Sequence, residues 1–295
     1  MQAERKPIDA AAASLMVLLC ACWGIGHVAA KVAAQGIPLV LQSGLRGLVG
    51  TGLVLAWCAW RRIPLRARDG TLGPGLLAGL LFGLEFLCIF AGLRTTDAAR
   101  MGVFIYLAPC MTALGLHFLL PSERLRPLQW AGIAVAFAGV AAAFGEGFAS
   151  GRGTLIGDLL GVLGAFFWAL TTVIVRTTRL GPAPPAKTLL YQLAVSGPML
   201  VVLSWLMGEP GIGPVTPLVA AAFAYQCVVV VFASFLAWFW LMTRYLAAPL
   251  SVFTFLTPLF SILGGVLLLG EPISVVFLLS AALVLAGIFL VNRRA

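Results

Sequence analysis

The chain has 295 residues, of which 61% are hydrophobic and only 10% charged, and its mean hydropathy is +1.06. A soluble domain carries about 25% charged residues, so the composition excludes a water-soluble globular protein and points to an all-α integral membrane protein. The net charge of +9 does not indicate a nucleic-acid partner, because its distribution along the chain matches the membrane rule given below.

An apolar run of about 20 residues crosses the hydrocarbon core as a helix. Ten such runs follow one another: 13–34, 39–60, 71–93, 101–120, 128–146, 155–178, 187–207, 217–242, 249–269 and 274–291. The first follows Arg5 and Lys6, but it is longer than the roughly 7 to 15 apolar residues of a secretory signal and is read as a retained membrane helix. Within it, "ACWGIGHVAAK" places Trp23, His27 and Lys31 at intervals of four, along one side of a helix. The second run carries Arg46 and the third Glu85. Counted from the run ends on one side, His27, Arg46 and Glu85 lie at a common depth of roughly 10 to 12 Å, at about 1.5 Å per residue.

Ionisable groups at such depth face the bundle interior or a water-filled cavity and pair with one another. Glu85 is therefore a candidate for binding an amine or a proton, against the structural alternative of a Glu85–Arg46 ion pair locking the second and third helices. His27 is either a proton-coupling group or a neutral interhelical bond. Lys31, three residues from its helix end, either snorkels to the surface or acts as a gate.

Tyr106, Pro109 and Pro258 fall near the middles of the fourth and ninth runs. Each proline removes a helical hydrogen bond, which predicts hinges and frees the carbonyls of Ile105 and Thr254. Trp168 is mid-span in the sixth run, as Trp23 is in the first, and the sixth also carries Arg176 close to its end. Trp57, Trp60, Trp130, Trp205, Trp238 and Trp240 lie near run ends, as interfacial tryptophans do. Gln226 and Ser234 offer polar groups on the eighth run, and His117 is interfacial. Stripes such as Gly73, Gly75, Gly79 and Gly83, or Gly157, Gly161 and Gly164, predict close helix contacts. The cysteines (Cys20, Cys22, Cys58, Cys88, Cys110 and Cys227) all fall within runs and form no CxxC pair, so no disulfide framework or metal site is expected.

The chain also repeats itself. A shift of 149 aligns "YLAP" (Tyr106 to Pro109) with "FLTP" (Phe255 to Pro258), and Ala98 and Ala99 with Ala247 and Ala248. A shift of 148 aligns Glu123 with Glu271, and one of 145 aligns Trp23 with Trp168 and Lys31 with Arg176. Two units result, 14–146 and 155–291, each of five helices. Because five is odd, the second unit enters the membrane from the opposite side. The loop Arg61 to Arg68 carries four arginines, whereas its counterpart Glu209 to Pro217 has no Lys or Arg. With both termini inside, 14 of the 19 basic residues fall on the inner side and four (Lys31, Arg94, Arg100 and Arg152) on the outer. The expected fold is ten transmembrane helices in two inverted repeats, with a substrate site near the midplane between them.

An early "WG" (Trp23-Gly24), "AAR...YLAP" (Ala98 to Pro109), "AAP...FLTP" (Ala247 to Pro258) and "GEP" (Gly270 to Pro272) carry a resemblance to the drug/metabolite transporter superfamily. The chain resembles its ten-helix exporters built from two EamA-type repeats, over about Ser14 to Val291. The first copy departs from the pattern, with "PSER" (Pro121 to Arg124) where the second has "LGEP". The resemblance implies secondary transport through a cavity lined by helices 1, 3, 4, 6, 8 and 9.

The expected function is export of small metabolites, amino acids first, with aromatic or cationic compounds also open. Substrate would meet Trp23, His27, Arg46, Glu85, Tyr106, Trp168, Gln226 and Ser234, with Lys31, Arg176, Pro109 and Pro258 as gates or hinges. The expected partners are a small-molecule substrate, membrane lipids and, if transport is coupled, protons; no cofactor, metal or nucleic acid is expected. The expected location is the inner or plasma membrane. Two alternatives stay open: a carrier of anions such as sugar phosphates or organic acids, working through Lys31 and Arg176, and an intramembrane enzyme.

Overall fold

A computed structural model describes residues 9–65, 69–119, 124–149, 154–245 and 253–292. The helix α1, Ala10–Ala33, starts where Asp9 Oδ1 accepts the Ala12 N–H at 2.8 Å, a side-chain N-cap. It is followed by α2, Leu39–Trp60, and α3, Leu72–Gly92. The next helix, α4, is in two pieces, Ala98–Ile105 and Ala108–Leu119. Then come α5, Pro127–Ala149; α6, Leu155–Thr177; and α7, Pro185–Leu206. α8 begins as an α-helix at Pro217–Ala224, becomes a π-helix over Tyr225–Ser234 and returns to α over Phe235–Arg244. α9 is Leu256–Leu269 and α10 is Val275–Asn292. Among the described residues, eight helices are long and apolar enough to cross a membrane, and α9 and α10 are shorter apolar helices.

The two prolines do not kink continuous helices, as the sequence predicts. α4 breaks at Tyr106 and Leu107, and α9 starts only after a turn at Thr254 and Phe255, so Pro109 and Pro258 sit in the first turns of restarted helices. Proline belongs there, since its missing N–H would be unpaired in a first turn anyway. The Thr254 carbonyl is not free, because it accepts the Thr257 N–H at 3.0 Å. Glu123, Ala247, Ala248 and the basic residues Arg5, Lys6, Arg66, Arg68, Arg152, Arg293 and Arg294 lie outside the described residues.

Helix contacts display the duplication. The α1–α9 pair is mirrored by α6–α4, α3–α6 by α8–α1, and α3–α7 by α8–α2. The pairs α5–α10 and α2–α7 each join a helix to its own counterpart. This is the inverted-repeat arrangement, and small residues permit its close approaches. A Cβ on Gly132 would lie 2.7 Å from the Gly287 carbonyl oxygen, and one on Gly47 would lie 3.0 Å from the Gly197 Cα. Gly75, Gly79 and Gly83 likewise face α7 at Tyr191, Val195 and Met199, whereas Gly73 faces open space and does not belong to that stripe.

Helix ends sort onto two faces, an N-terminal face bearing Asp9, Asp69 and Lys187 and a distal face bearing Lys31, Glu209 and Glu271. The first piece of α4, on the distal side, packs on α1, α6 and α9, whereas its second piece packs on α6 and α10. Towards the N-terminal face, the start of α9 joins α1 and the end of α8 in a separate cluster around Met16, Cys20 and Leu241. Among the described residues, the seam between α4 and α9 is drawn together through the first piece of α4, on the distal side.

Candidate functional site

Glu271 closes the distal end of this seam. Gly270, with φ 65°, ends α9 in the left-handed conformation that glycine adopts without strain. The turn sends the Glu271 carboxylate back onto the start of α4, where it accepts the N–H groups of Ala98 at 2.8 Å and Ala99 at 3.0 Å. A carboxylate at that point satisfies unpaired helix donors and meets the positive end of the helix dipole. It also takes Lys31 Nζ at 3.0 Å, with Asp97 3.8 Å from the same ammonium. Lys31 therefore does not snorkel away from the protein, and it joins the first repeat to the second. Glu209, also from the second repeat, caps α2 in the same way through the N–H groups of Val40 and Leu41 and holds Ser204 Oγ at 2.8 Å.

Nearby, Arg100 lies on the distal side but is buried, which its count among the outer basic residues does not foresee. It is 4% exposed in the first turn of α4, and its Nε and guanidinium N–H groups reach both Asp158 oxygens at 2.6 to 3.1 Å. It also donates to Glu146 at 2.7 Å and to the Ala143 carbonyl at 2.9 Å, and Thr96 supplies a further hydrogen bond to Asp158 at 2.6 Å. The sequence carried one signal for this cluster: the acidic residues Glu146 and Asp158 end and begin helices on the same side as Arg100.

On the N-terminal face, Lys187 Nζ meets Asp69 Oδ2 at 2.7 Å while Thr71 donates to Oδ1 at 2.6 Å. The Lys187 hydrogen bond first, and the Thr71 hydroxyl second, hold the Asp69 carboxyl well below the usual carboxylate range. A carboxylate whose folded value is depressed stabilises the fold above its unfolded value, about 3.9, and that contribution fades as pH falls below it. The melting-temperature gap between wild type and Asp69→Asn in detergent is accordingly expected to hold from pH 7 to about 5 and to narrow below about 4. A gap that widened on acidification would contradict the pairing. Arg176 is exposed on this face, and His117 Nδ1 accepts the Leu125 N–H at 2.8 Å.

Between the faces, the expected site residues fall into separate groups. Trp23 Nε1 donates to Ser234 Oγ at 2.8 Å, and its ring meets Trp238 edge-on at 5.7 Å, so Trp238 packs inside the bundle as well as near a helix end. His27 Nδ1 lies 3.2 Å from Ser261 Oγ, a partner on α9 that the sequence did not single out. Tyr106, at the break in α4, meets Trp168 edge-on at 5.5 Å. Gln226 is fully buried and donates to Gln42 Oε1 at 2.8 Å, tying α8 to α2.

Arg46 and Glu85 are not the ion pair considered from sequence. Arg46, 7% exposed, places its guanidinium over the rings of Phe86, at 4.3 Å, and Phe90, at 4.6 Å. Glu85 is 5% exposed and its Oε2 has no hydrogen-bond partner. The three ionisable groups near one level are thus not one hydrogen-bonded network: His27 turns to α9, Arg46 to aromatic faces, and Glu85 Oε2 makes no hydrogen bond. Arg46 and Ser43 also line a cavity of about 10 Å³ with Phe86, Ser196, Val231 and Phe235. The π-helical stretch of α8 had no sequence signal, because a buried apolar run looks alike whether wound as α or π.

The chain was compared with known proteins on this basis. The model of the EamA-like transporter family matches residues 10–145 and again 155–293. The chain belongs to the EamA-like transporter family. It is therefore a multi-pass membrane transporter, with a small-molecule substrate and a lipid surround. It is 27% identical over 96% of its length to the Bacillus subtilis protein named uncharacterized transporter YvbV, covering 92% of that protein. It is 25% identical to a Salmonella typhimurium protein named probable amino-acid metabolite efflux pump, over 94% of this chain and 93% of that one. An Escherichia coli protein of the same name is 22% identical over 94% and 93% of the two chains. A protein of known crystal structure shares the fold with a TM-score of 0.66 at 23% identity, over 95% of this chain and 96% of that one. As an EamA-like transporter, the chain presents its two matched segments as the two halves that the helix contacts relate.

Proposed function

We propose that this transporter exports small zwitterionic metabolites, amino acids first among them, by alternating access between repeats 14–146 and 155–291. The observation that carries the reading is the pair of nine-tenths-buried ionisable side chains, Arg46 on α2 and Glu85 on α3, with no salt bridge between them. A buried charge without a partner is costly, and a zwitterion supplies an ammonium for one and a carboxylate for the other. Trp23, Trp168 and Tyr106 would offer aromatic surface, His27, Gln226 and Ser234 polar contacts, and the breaks before Pro109 and Pro258 hinges. Two relatives bearing the name probable amino-acid metabolite efflux pump support the same substrate class.

Orientation follows from charge. The N-terminal face carries Arg61, Arg62, Arg124, Arg126, Arg176, Arg179, Lys187 and Arg244 against Lys31, Arg94 and Arg100 distally, so it is the cytoplasmic side of an inner or plasma membrane. Lys31, paired with Glu271 of the other repeat, then belongs to a closed outer gate. An anion carrier working through Lys31 and Arg176 is the weaker reading, because Lys31 is engaged by Glu271.

Proteoliposomes preloaded with one amino acid are expected to accumulate the labelled compound by counterflow and to release it chemically unchanged. Counterflow confined to sugar phosphates or organic acids, or a chemically altered product, would overturn the reading in favour of an anion carrier or an enzyme.

A further inference from the structure

We propose that Arg46 and Ser43 form a subsite for a carboxylate group, so that the transporter selects compounds with a free carboxylate over their amides and over simple amines. The inference rests on the amino-acid reading and adds to it the group that is recognised and a residue, Ser43, that reads it.

Four observations converge. Phe86 and Phe90 present their rings to the Arg46 guanidinium carbon, at 4.3 and 4.6 Å. A cation over ring faces is held by the ring quadrupole and gains no hydrogen bond from it. Among the described residues no hydrogen bond or ion pair engages the Arg46 N–H groups, although the residue is only 7% exposed. One turn earlier on the same helix, Ser43 is 3% exposed and its Oγ has no partner. Both residues line the same cavity, whose volume of about 10 Å³ is that of one water-sized oxygen.

The buried guanidinium can only donate, and the buried hydroxyl on the same cavity can donate beside it. Together they suit an acceptor that is planar, negative and has two oxygens, which is a carboxylate. An amide presents one acceptor oxygen and brings an NH₂ towards the donor-only guanidinium, and a protonated amine presents no acceptor. The rings fix the guanidinium in place beforehand, so little rotamer freedom is lost when the ligand arrives.

The test is thermal unfolding of the full chain in detergent, at equal ionic strength, with acetate, L-phenylalanine or L-phenylalaninamide against a chloride control. Wild type is expected to be stabilised by acetate and by phenylalanine, with phenylalaninamide at least about tenfold weaker, as for the loss of a charge-assisted hydrogen bond. Arg46→Met and Ser43→Ala are expected to lose the acetate response, and Arg46→Lys to keep part of it. Melting without ligand shows whether each variant is folded, and Ser43→Ala removes only one oxygen should Arg46→Met fail to fold. The subsite is overturned if acetate acts no differently from chloride on wild type, if Ser43→Ala and a folded Arg46→Met keep the full response, or if the amide stabilises as well as the acid. Stabilisation by acetate but not by phenylalanine would leave the subsite standing and remove the amino-acid reading.

Discussion

Arg100→Met is expected to lower stability by about 3–5 kcal/mol, the size seen when one partner of a buried ion pair is removed. The reason is what remains behind. Asp158 is fully buried, and it would keep only Thr96 to offset its charge, while Glu146 and the Ala143 carbonyl would lose their donor. Total stabilities of about 5–15 kcal/mol leave little margin, so the variant should accumulate poorly and melt well below wild type in detergent. Adding Asp158→Asn should recover part of the loss, because it removes the uncompensated carboxylate, and the two changes should be strongly non-additive. The measurement is the melting temperature of the two single variants and the double variant by fluorescence-detected chromatography. An Arg100→Met protein that melts with wild type would show that the cluster is not a stabilising lock on α4, α5 and α6.

The same residue shows where the sequence could and could not be read. Ten apolar runs, Trp23 matched to Trp168, and arginines crowded into alternate loops were enough for the inverted ten-helix fold, because each depends only on periodicity and side-chain class. The burial of Arg100 was not legible because only the arrival of Asp158 and Glu146 from two other helices encloses a residue at the mouth of a span. The Glu85–Arg46 pairing was plausible from depth alone. The rotation of α2 and α3 about their axes, which turns the guanidinium onto Phe86 and Phe90, follows from packing of Gly44 and Gly47 against Gly197 and cannot be computed from depth. Glu271 was visible only as part of a "GEP" motif, since its partners Lys31, Ala98 and Ala99 lie at least 172 residues away in the chain.

Glu271→Ala is expected to shift the conformational balance by about 10- to 100-fold towards states in which the distal face is open. The closed arrangement draws three donors onto one carboxylate: Lys31 Nζ at 3.0 Å and the Ala98 and Ala99 N–H groups at 2.8 and 3.0 Å. Lys31 and α4 belong to one repeat and Glu271 to the other, so these bonds must all break when the repeats part distally. Hydrogen bonds to a charged group contribute about 1.5–3 kcal/mol each, and water replaces part of that once the face opens. A net loss of about 1.4 to 2.7 kcal/mol corresponds to the stated range. Glu271→Gln keeps an acceptor for one N–H group and gives up the pairing with Lys31, so it should fall between alanine and wild type. Val28 reports the opening: it is 2% exposed, one turn before Lys31, and packs against Gly264 of α9. A cysteine at Val28 should react slowly with a maleimide in the otherwise wild-type chain and about 10- to 100-fold faster with Glu271→Ala, after the labelling of the native cysteines is subtracted. Because an open distal face is also the state that releases an exported substrate, the same change should raise leak of preloaded substrate relative to exchange. Equal labelling rates with and without the Glu271 carboxylate would show that the seam is held by packing at Gly102 and Ser261 and not by this charge.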